Sequence, residues 1–551
     1  MPALPSSRCR SPWRPGRRPR RLAATLAVVA ALAGLAWLLT DPGPAGAAAK
    51  TTLVLGVDIS DSRTFDPARQ FEYSPPTTMR AAYETLVTMT PGDYVHVKPL
   101  LAKSWKLVDG GKAWEFQLRE GVKFASGNPL TAEDVKFSFE RLINVKDQPS
   151  EIAENVASVE VVDPLTVKVV MADKDQPLLN ILASVTFAVS DAKTVKALGG
   201  TSAKDAEKTD KATAALDQHS AGTGPYTLVS WVRNSEVVLE RNKNYWRAPA
   251  PFERVVIRHV GDSAAQLLAL RRGDIDAALN LTPDQLDGLA KEQSLRTVSG
   301  TSLDYLYMTL TSGADLNKAL ASRAARQAVA QAIDYDGIIK GLMLGQATRP
   351  ATFIPVGLDG STEALTKEIG YRQDLARAKK LLADAGSPNG FTFKLSYAKA
   401  AMAGTSYDLV AQKIQSDLAR VGITAELDPM DQATLRTQYK EGKSQSVLTF
   451  WSPDAPEPYL WAAASIQRVA KRVRWAPPKE LVDLVTRAGG EPDPAKQAGH
   501  YREYQKTLVD QANYIILLQP VYRVAVSRAI TGYTLTAAGW QVDLYDVKPA
   551  N

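Results

Sequence analysis

Between Gly390 and Leu427 the apolar residues change period twice, and only alternating layers of strand and helix can satisfy such a pattern. Phe391, Phe393, Leu395 and Tyr397 alternate with Thr392, Lys394 and Ser396, as one buried face of a strand does. Leu409, Val410, Ile414, Leu418 and Val421 then keep helical spacing, with Ser406 as N-cap and Gly422 as stop. Ile423, Ala425 and Leu427 alternate again with Thr424 and Glu426. Strand, helix and strand in this order form the crossover unit of a doubly wound sheet, so the fold class is α/β. A short helix is expected over residues 263–272, ended by Gly273, and a second helix over about residues 322–342, with Ala325, Val329, Ala332 and Ile333 on one face. Residues 199–220 are rich in Ala, Lys, Asp and Thr with few large apolar side chains, and read as a mobile surface excursion.

The first 49 residues are chemically distinct. Seven arginines between Arg8 and Arg21 precede an apolar run from Leu22 to Leu39, and Ala45-Gly46-Ala47 supplies a small-residue cleavage pattern. This is an export signal, with cleavage expected after Ala47 or Ala49. The chain holds 66 basic and 59 acidic side chains; the signal takes seven Arg and one Asp, so the remainder is nearly neutral. With no basic stripe left, nucleic acid is not an expected partner. Cys9, the single cysteine, also falls in the signal, which leaves no disulfide, no thiolate metal site and no cysteine for a lipid anchor. A soluble, monomeric periplasmic protein is expected. Its roughly 500 residues exceed what one core usually supports, so two or more lobes are expected.

Leu101-Ala102-Lys103-Ser104-Trp105, Trp114 to Phe124, Gly127 and Pro129 to Val135 follow one another in a long ordered block. Gly222-Thr223-Gly224-Pro225-Tyr226, Asn242-Lys243-Asn244-Tyr245-Trp246, Arg271 to Asp276 and Arg326 to Asp334 continue it. The series resembles bacterial extracellular solute-binding protein family 5, the oligopeptide-, dipeptide- and nickel-binding proteins of ABC importers. The resemblance spans residue 51 to the C-terminus. It implies a two-lobed periplasmic binding protein fold with hinged mixed-sheet lobes. The large lobe would run over residues 50–304 with an extra subdomain at about 88–220, the second lobe over 305–519, and residues 520–551 would return to the first. The crossings would be Tyr305 to Thr309 and Ile515 to Pro520. Trp105, Trp114, Phe116 and Phe124 read as core and turn residues, and Thr131 as a helix cap.

The segment from Phe450 to Tyr459 is the sharpest site candidate. Three prolines restrict its backbone, and an aromatic wall beside a carboxylate suits a ligand ammonium. In peptide-binding members a Trp followed three residues later by Asp holds the peptide α-amino group, and Trp451 and Asp454 have that spacing; the alternative is a local turn bond for Asp454 and core packing for Trp451. Tyr459, Trp461 and Tyr73 are further wall candidates, and Arg349 is a candidate for a ligand carboxylate. The resemblance implies membrane permease subunits with cytoplasmic ATPases as partners and a small peptide-like solute as ligand, with a nickel chelate as the second choice. No Gly-x-Ser-x-Gly elbow, His-Glu-x-x-His helix or phosphate-binding loop supports a secreted hydrolase, so no catalytic residue is assigned. His96, His219, His259 and His500 lack metal-ligand spacing, and neither a cofactor nor a metal is expected. A chemoreceptor-coupled binder is the remaining alternative.

Overall fold

A computed structural model describes residues 50–173, 176–452, 455–536 and 541–550; the export signal and Asp454 lie outside the described residues. In chain order the elements that position the site are β1 (Thr52–Val57), α1 (Pro76–Ala82), the hairpin β2 (Ala102–Val108) and β3 (Ala113–Leu118), α2 (Ala132–Val145), and the pair β4 (Val156–Asp163) and β5 (Thr166–Met171). Next come β6 (Tyr226–Val232), β7 (Glu236–Arg241), β8 (Arg254–His259), α3 (Ser263–Arg272), β9 (Ala277–Ala278), β10 (Leu295–Thr301) and β11 (Tyr305–Leu310). The chain continues through β12 (Thr392–Ala398), α4 (Tyr407–Ala419), β13 (Thr424–Met430), β14 (Ser446–Trp451), α5 (Pro458–Ile466) and β15 (Tyr514–Ser527).

One mixed sheet runs β13-β12-β14-β11-β15-β9-β1-β8-β7-β6, with β10 also beside β15. Parallel pairing of β12 with β13 through α4 is the crossover that the double change of period demands. Ser406 caps α4 by accepting from the Asp408 amide, and Gly422 follows its end at φ 86°. Leu409 is half exposed, whereas Val410, Ile414 and Leu418 are buried, so the helix's apolar face is narrower than expected. β15 belongs to two half-sheets. Its first part pairs with β11, Thr309 opposite Tyr514 and Leu306 opposite Leu518, and its second part pairs with β10 from Val521 to Ser527. Between these parts, Gln519 and Pro520 face Thr348 and Ala347. Separate cores pack on the half-sheets, one around Leu306, Leu395 and Ile414 and another around Leu55, Val255 and Val524.

Strands β2 to β5 form their own antiparallel sheet, on which α2 packs over a third core. Phe116 and Phe124 are fully buried there, and Trp105 and Trp114 pack against it, which fits the core reading. Thr131 and Asp134 close a capping box at the start of α2. Two expectations are corrected. The helix expected over residues 322–342 ends at Ala332, because Ile333 turns extended and Asp334 caps a new turn by accepting from the Gly337 amide. Residues 199–220 are not a loose excursion: Ala206, Ala212 and Leu216 are fully buried. Arg141 on α2 pins that segment, donating at 2.8 Å to both Asp210 oxygens and at 2.6 Å to both Asp66 oxygens.

Removing one member of such a buried charge cluster strands the others without compensation. Arg141→Leu is expected to destabilise the protein by about 3–5 kcal/mol, read as a lowered urea midpoint at unchanged slope; an unchanged midpoint would show that the cluster contributes nothing net.

Candidate functional site

Two cavities open between the half-sheets, and Tyr73 lines both. The first, of about 170 Å³, has one wall from residues 70–80 and another from Phe450, Ser452, Ala455 and Pro456. Local sequence explains both walls. Pro75 and Pro76 start α1, since Pro lacks only an amide that the first turn leaves unbonded anyway. Pro76 and Arg80, four residues apart on one helix face, both line this cavity. On the other side alternation along β14 and beyond sends Phe450 and Ser452 to the cavity. The Tyr73 and Phe450 rings meet edge to face at 5.8 Å.

The second cavity, of about 320 Å³, is lined by Asp58, Ser74, Asp262, Asn280 and Tyr522 from the first half-sheet and by residues 401–404 from the second. Gly404 has φ 79°, and a Cβ there would overlap the Leu281 carbonyl oxygen. Backbone thus meets backbone where the halves approach.

A fully buried carboxylate, Asp304, stands just before β11 and accepts from Ser452 Oγ at 2.7 Å. The Tyr73 and Tyr522 hydroxyls are hydrogen-bonded to each other. Burial and the nearby Asp304 charge push both phenols well above their ordinary value, so they act as neutral donors. Glu72, also at the first cavity, pairs with Arg63 at 3.0 Å, and burial raises its carboxyl. Farther along, burial pushes Glu457 up to about 7; it accepts from Asn180 Nδ2 and from the Tyr459 amide, each at 3.3 Å. The same happens to Glu84, up to about 7, despite bonds from Trp246, Thr223 and Tyr245.

Of the residues singled out from sequence, Tyr73 lies at the junction of both cavities. Trp451, at the end of β14, packs edge-on to Phe353 at 5.1 Å, with the Arg468 guanidinium 5.1 Å from its ring centre. Arg468 in turn bonds Glu151 at 3.0 Å. Tyr459 is half-buried on α5 against the core beneath Trp451, and burial raises its phenol to about 12. Trp461 is buried in that core. Arg349 lies over the Tyr335 ring at 4.0 Å and donates to the Tyr371 carbonyl, and it lines neither cavity. His259 sits 3.6 Å from Asp58 near the second cavity. Glu72, Arg80, Asp304 and Tyr522 were not singled out; the Pro75-Pro76 pair beside the first two was their one local signal.

Comparison with known proteins adds three findings. The family described as bacterial extracellular solute-binding proteins, family 5 (middle), matches residues 96–465. The chain is 31% identical over 510 residues to the "Probable D,D-dipeptide-binding periplasmic protein" of Escherichia coli (strain K12), covering 91% of this chain and 95% of that one. It is 26% identical over 533 residues to a glutathione-binding protein of Salmonella paratyphi A, covering 92% and 96%. Among solved structures it is similar to a dipeptide binding protein from Pseudoalteromonas sp. SM9913 in complex with Met-Leu. The TM-score is 0.80 at 22% identity, over 91% of this chain and all of that one.

The buried carboxyls predict a pH dependence. Glu457 and Glu84 hold a proton up to about pH 7 in the folded chain but only to their ordinary value of 4.5 when unfolded. Their stabilisation is whole below the lower value and is lost as pH rises through the upper one. The thermal midpoint should fall by a few degrees between about pH 5 and pH 8, and Glu457→Gln should flatten part of that slope; an identical slope in the variant would assign it to other groups.

Proposed function

This chain belongs to the bacterial extracellular solute-binding proteins of family 5 and has their two-lobed fold, and on that premise we propose that it captures di- or oligopeptides for an ABC importer. One observation carries the reading: the first cavity is walled by residues between 70 and 80 on one half-sheet's side and by Phe450, Ser452, Ala455 and Pro456 on the other's, so a ligand there touches both. A ligand held from two sides stabilises the closed arrangement over any open one, and closure is what a permease can recognise. The names of the relatives, a D,D-dipeptide-binding and a glutathione-binding protein, favour a peptide over a metal chelate.

In this reading residues 50–304 and 520–551 make the large lobe, with an inserted subdomain at about 88–220, and residues 305–519 make the second. Strands β11 and β15, which pair with each other, carry the chain between them and serve as the hinge. Residues 1–49 are removed on export, and the mature monomer works in the periplasm without a lipid anchor. Among the described residues no helix is long and apolar enough to cross a membrane. The role is binding rather than catalysis. Asp454 takes the peptide ammonium, Trp451 and Tyr459 shape the wall around it, and Tyr73 contacts the ligand from the large lobe.

Native mass spectrometry of protein purified without denaturation, followed by a thermal-shift screen of di- to pentapeptides against nickel chelates, tests the substrate class. A co-purified peptide or a peptide-raised midpoint supports import of peptides; a response to chelates alone overturns it. For a peptide so identified, Asp454→Asn keeps the shape and removes the charge. It should weaken binding by roughly 2–5 kcal/mol in calorimetry, and N-acetylation of the peptide should weaken the wild type similarly. Undiminished affinity in the variant would remove Asp454 from the site.

A further inference from the structure

Arg80 is a cation facing a cavity in which, among the described residues, the acidic side chain present is already paired elsewhere. It projects from the last turn of α1 into the first cavity, one helical turn beyond Pro76. Its Nε is buried without a hydrogen-bond partner. Among the described residues its guanidinium makes no ion pair and no side-chain hydrogen bond. Glu72, the acidic residue lining the same cavity, is already engaged by Arg63 at 3.0 Å and by the Phe71 amide at 3.3 Å. Thr90, Ser184 and Thr186 complete that part of the wall with neutral polar groups.

A position in the last turn suits a basic side chain through the helix dipole, and that alone would give Arg80 a stabilising role. The dipole, however, leaves a planar fork of donors unfilled in a partly desolvated pocket, an arrangement that matches a carboxylate. We propose that Arg80 binds a carboxylate of the captured peptide, which makes the first cavity the anionic subsite of the cleft and excludes ligands that lack such a group there. The proposal rests on the peptide reading above and narrows it. The opposite wall is formed by Phe450, Ser452, Ala455 and Pro456, so a ligand anchored at Arg80 would also touch the other side of the cavity.

The experiment is calorimetry on wild type, Arg80→Gln and Arg80→Lys with di- to tetrapeptides in three forms: free acid, C-terminal amide, and C-terminal amide bearing one glutamate side chain. In the wild type the free acid should bind roughly ten- to a hundredfold more tightly than the amide. Arg80→Gln should bring the free acid down to the amide's affinity while leaving the amide unchanged, and Arg80→Lys should keep part of the gap. Because the readout is a ratio within each variant, a general loss of stability does not produce it, and a helix-dipole role would not move it. If the glutamate-bearing amide regains affinity only in proteins with a cation at position 80, a side-chain carboxylate also fills the subsite. Equal binding of acid and amide by the wild type, or a full gap retained in Arg80→Gln, overturns the proposal while peptide binding stands. Failure of every form to bind any of the three proteins overturns the peptide reading and this subsite with it.

Discussion

The cleft is organised around one buried carboxylate. Asp304 has no solvent exposure, yet it sits where the chain enters β11, fixed at 2.7 Å by Ser452 from the end of β14 and close to the phenols of Tyr73 and Tyr522. These groups come from the loop before α1, from β15 and from β14, so a single negative charge gathers the parts of both half-sheets that border the cavities. Such a group is tolerated in the interior because the Ser452 hydroxyl and the Tyr522 phenol bond it. The phenols, kept neutral by burial first and then by the nearby Asp304, add hydroxyl groups to cavity walls that also carry the carboxyl groups of Glu72, Asp58 and Asp262.

Much of the architecture can be read locally, because it depends on neighbours in sequence. The alternation at Phe393, Leu395 and Tyr397, the helical spacing through Val410, Ile414 and Leu418 and the glycine at 422 specify a unit whose parts lie within forty residues of one another. The helix break at Ile333 escaped a reading by apolar spacing because Ile333 is buried although its backbone is extended, and the decisive event is Asp334 capping a new turn. Residues 199–220 misled for another reason. Their order comes from Arg141, 69 residues before Asp210, and few large apolar side chains are needed where one guanidinium bonds Asp210 twice and Asp66 twice.

The site was less legible than the fold. Tyr73 and the segment after Phe450 drew notice through aromatic and proline content, and they do border the same cavity. Arg80 carries no motif: a single arginine in a short helix resembles many others until packing buries its Nε with no partner among the described residues. Trp451 shows the converse. Adjacent residues of a strand face opposite ways, so Phe450 and Ser452 reach the cavity while Trp451 turns to Phe353 and Arg468.

The placement of β15 has a consequence for how the chain is made. Because this strand is fourteen residues long, lies near the C-terminus and fills the gap between β11 on one side and β9 and β10 on the other, neither half-sheet is complete until residue 527 has been synthesised. A growing chain must therefore carry two open sheet edges for most of its length. Exposed edges are templates for mispairing, so a chain of this topology gains from being kept unfolded until its last strand is available.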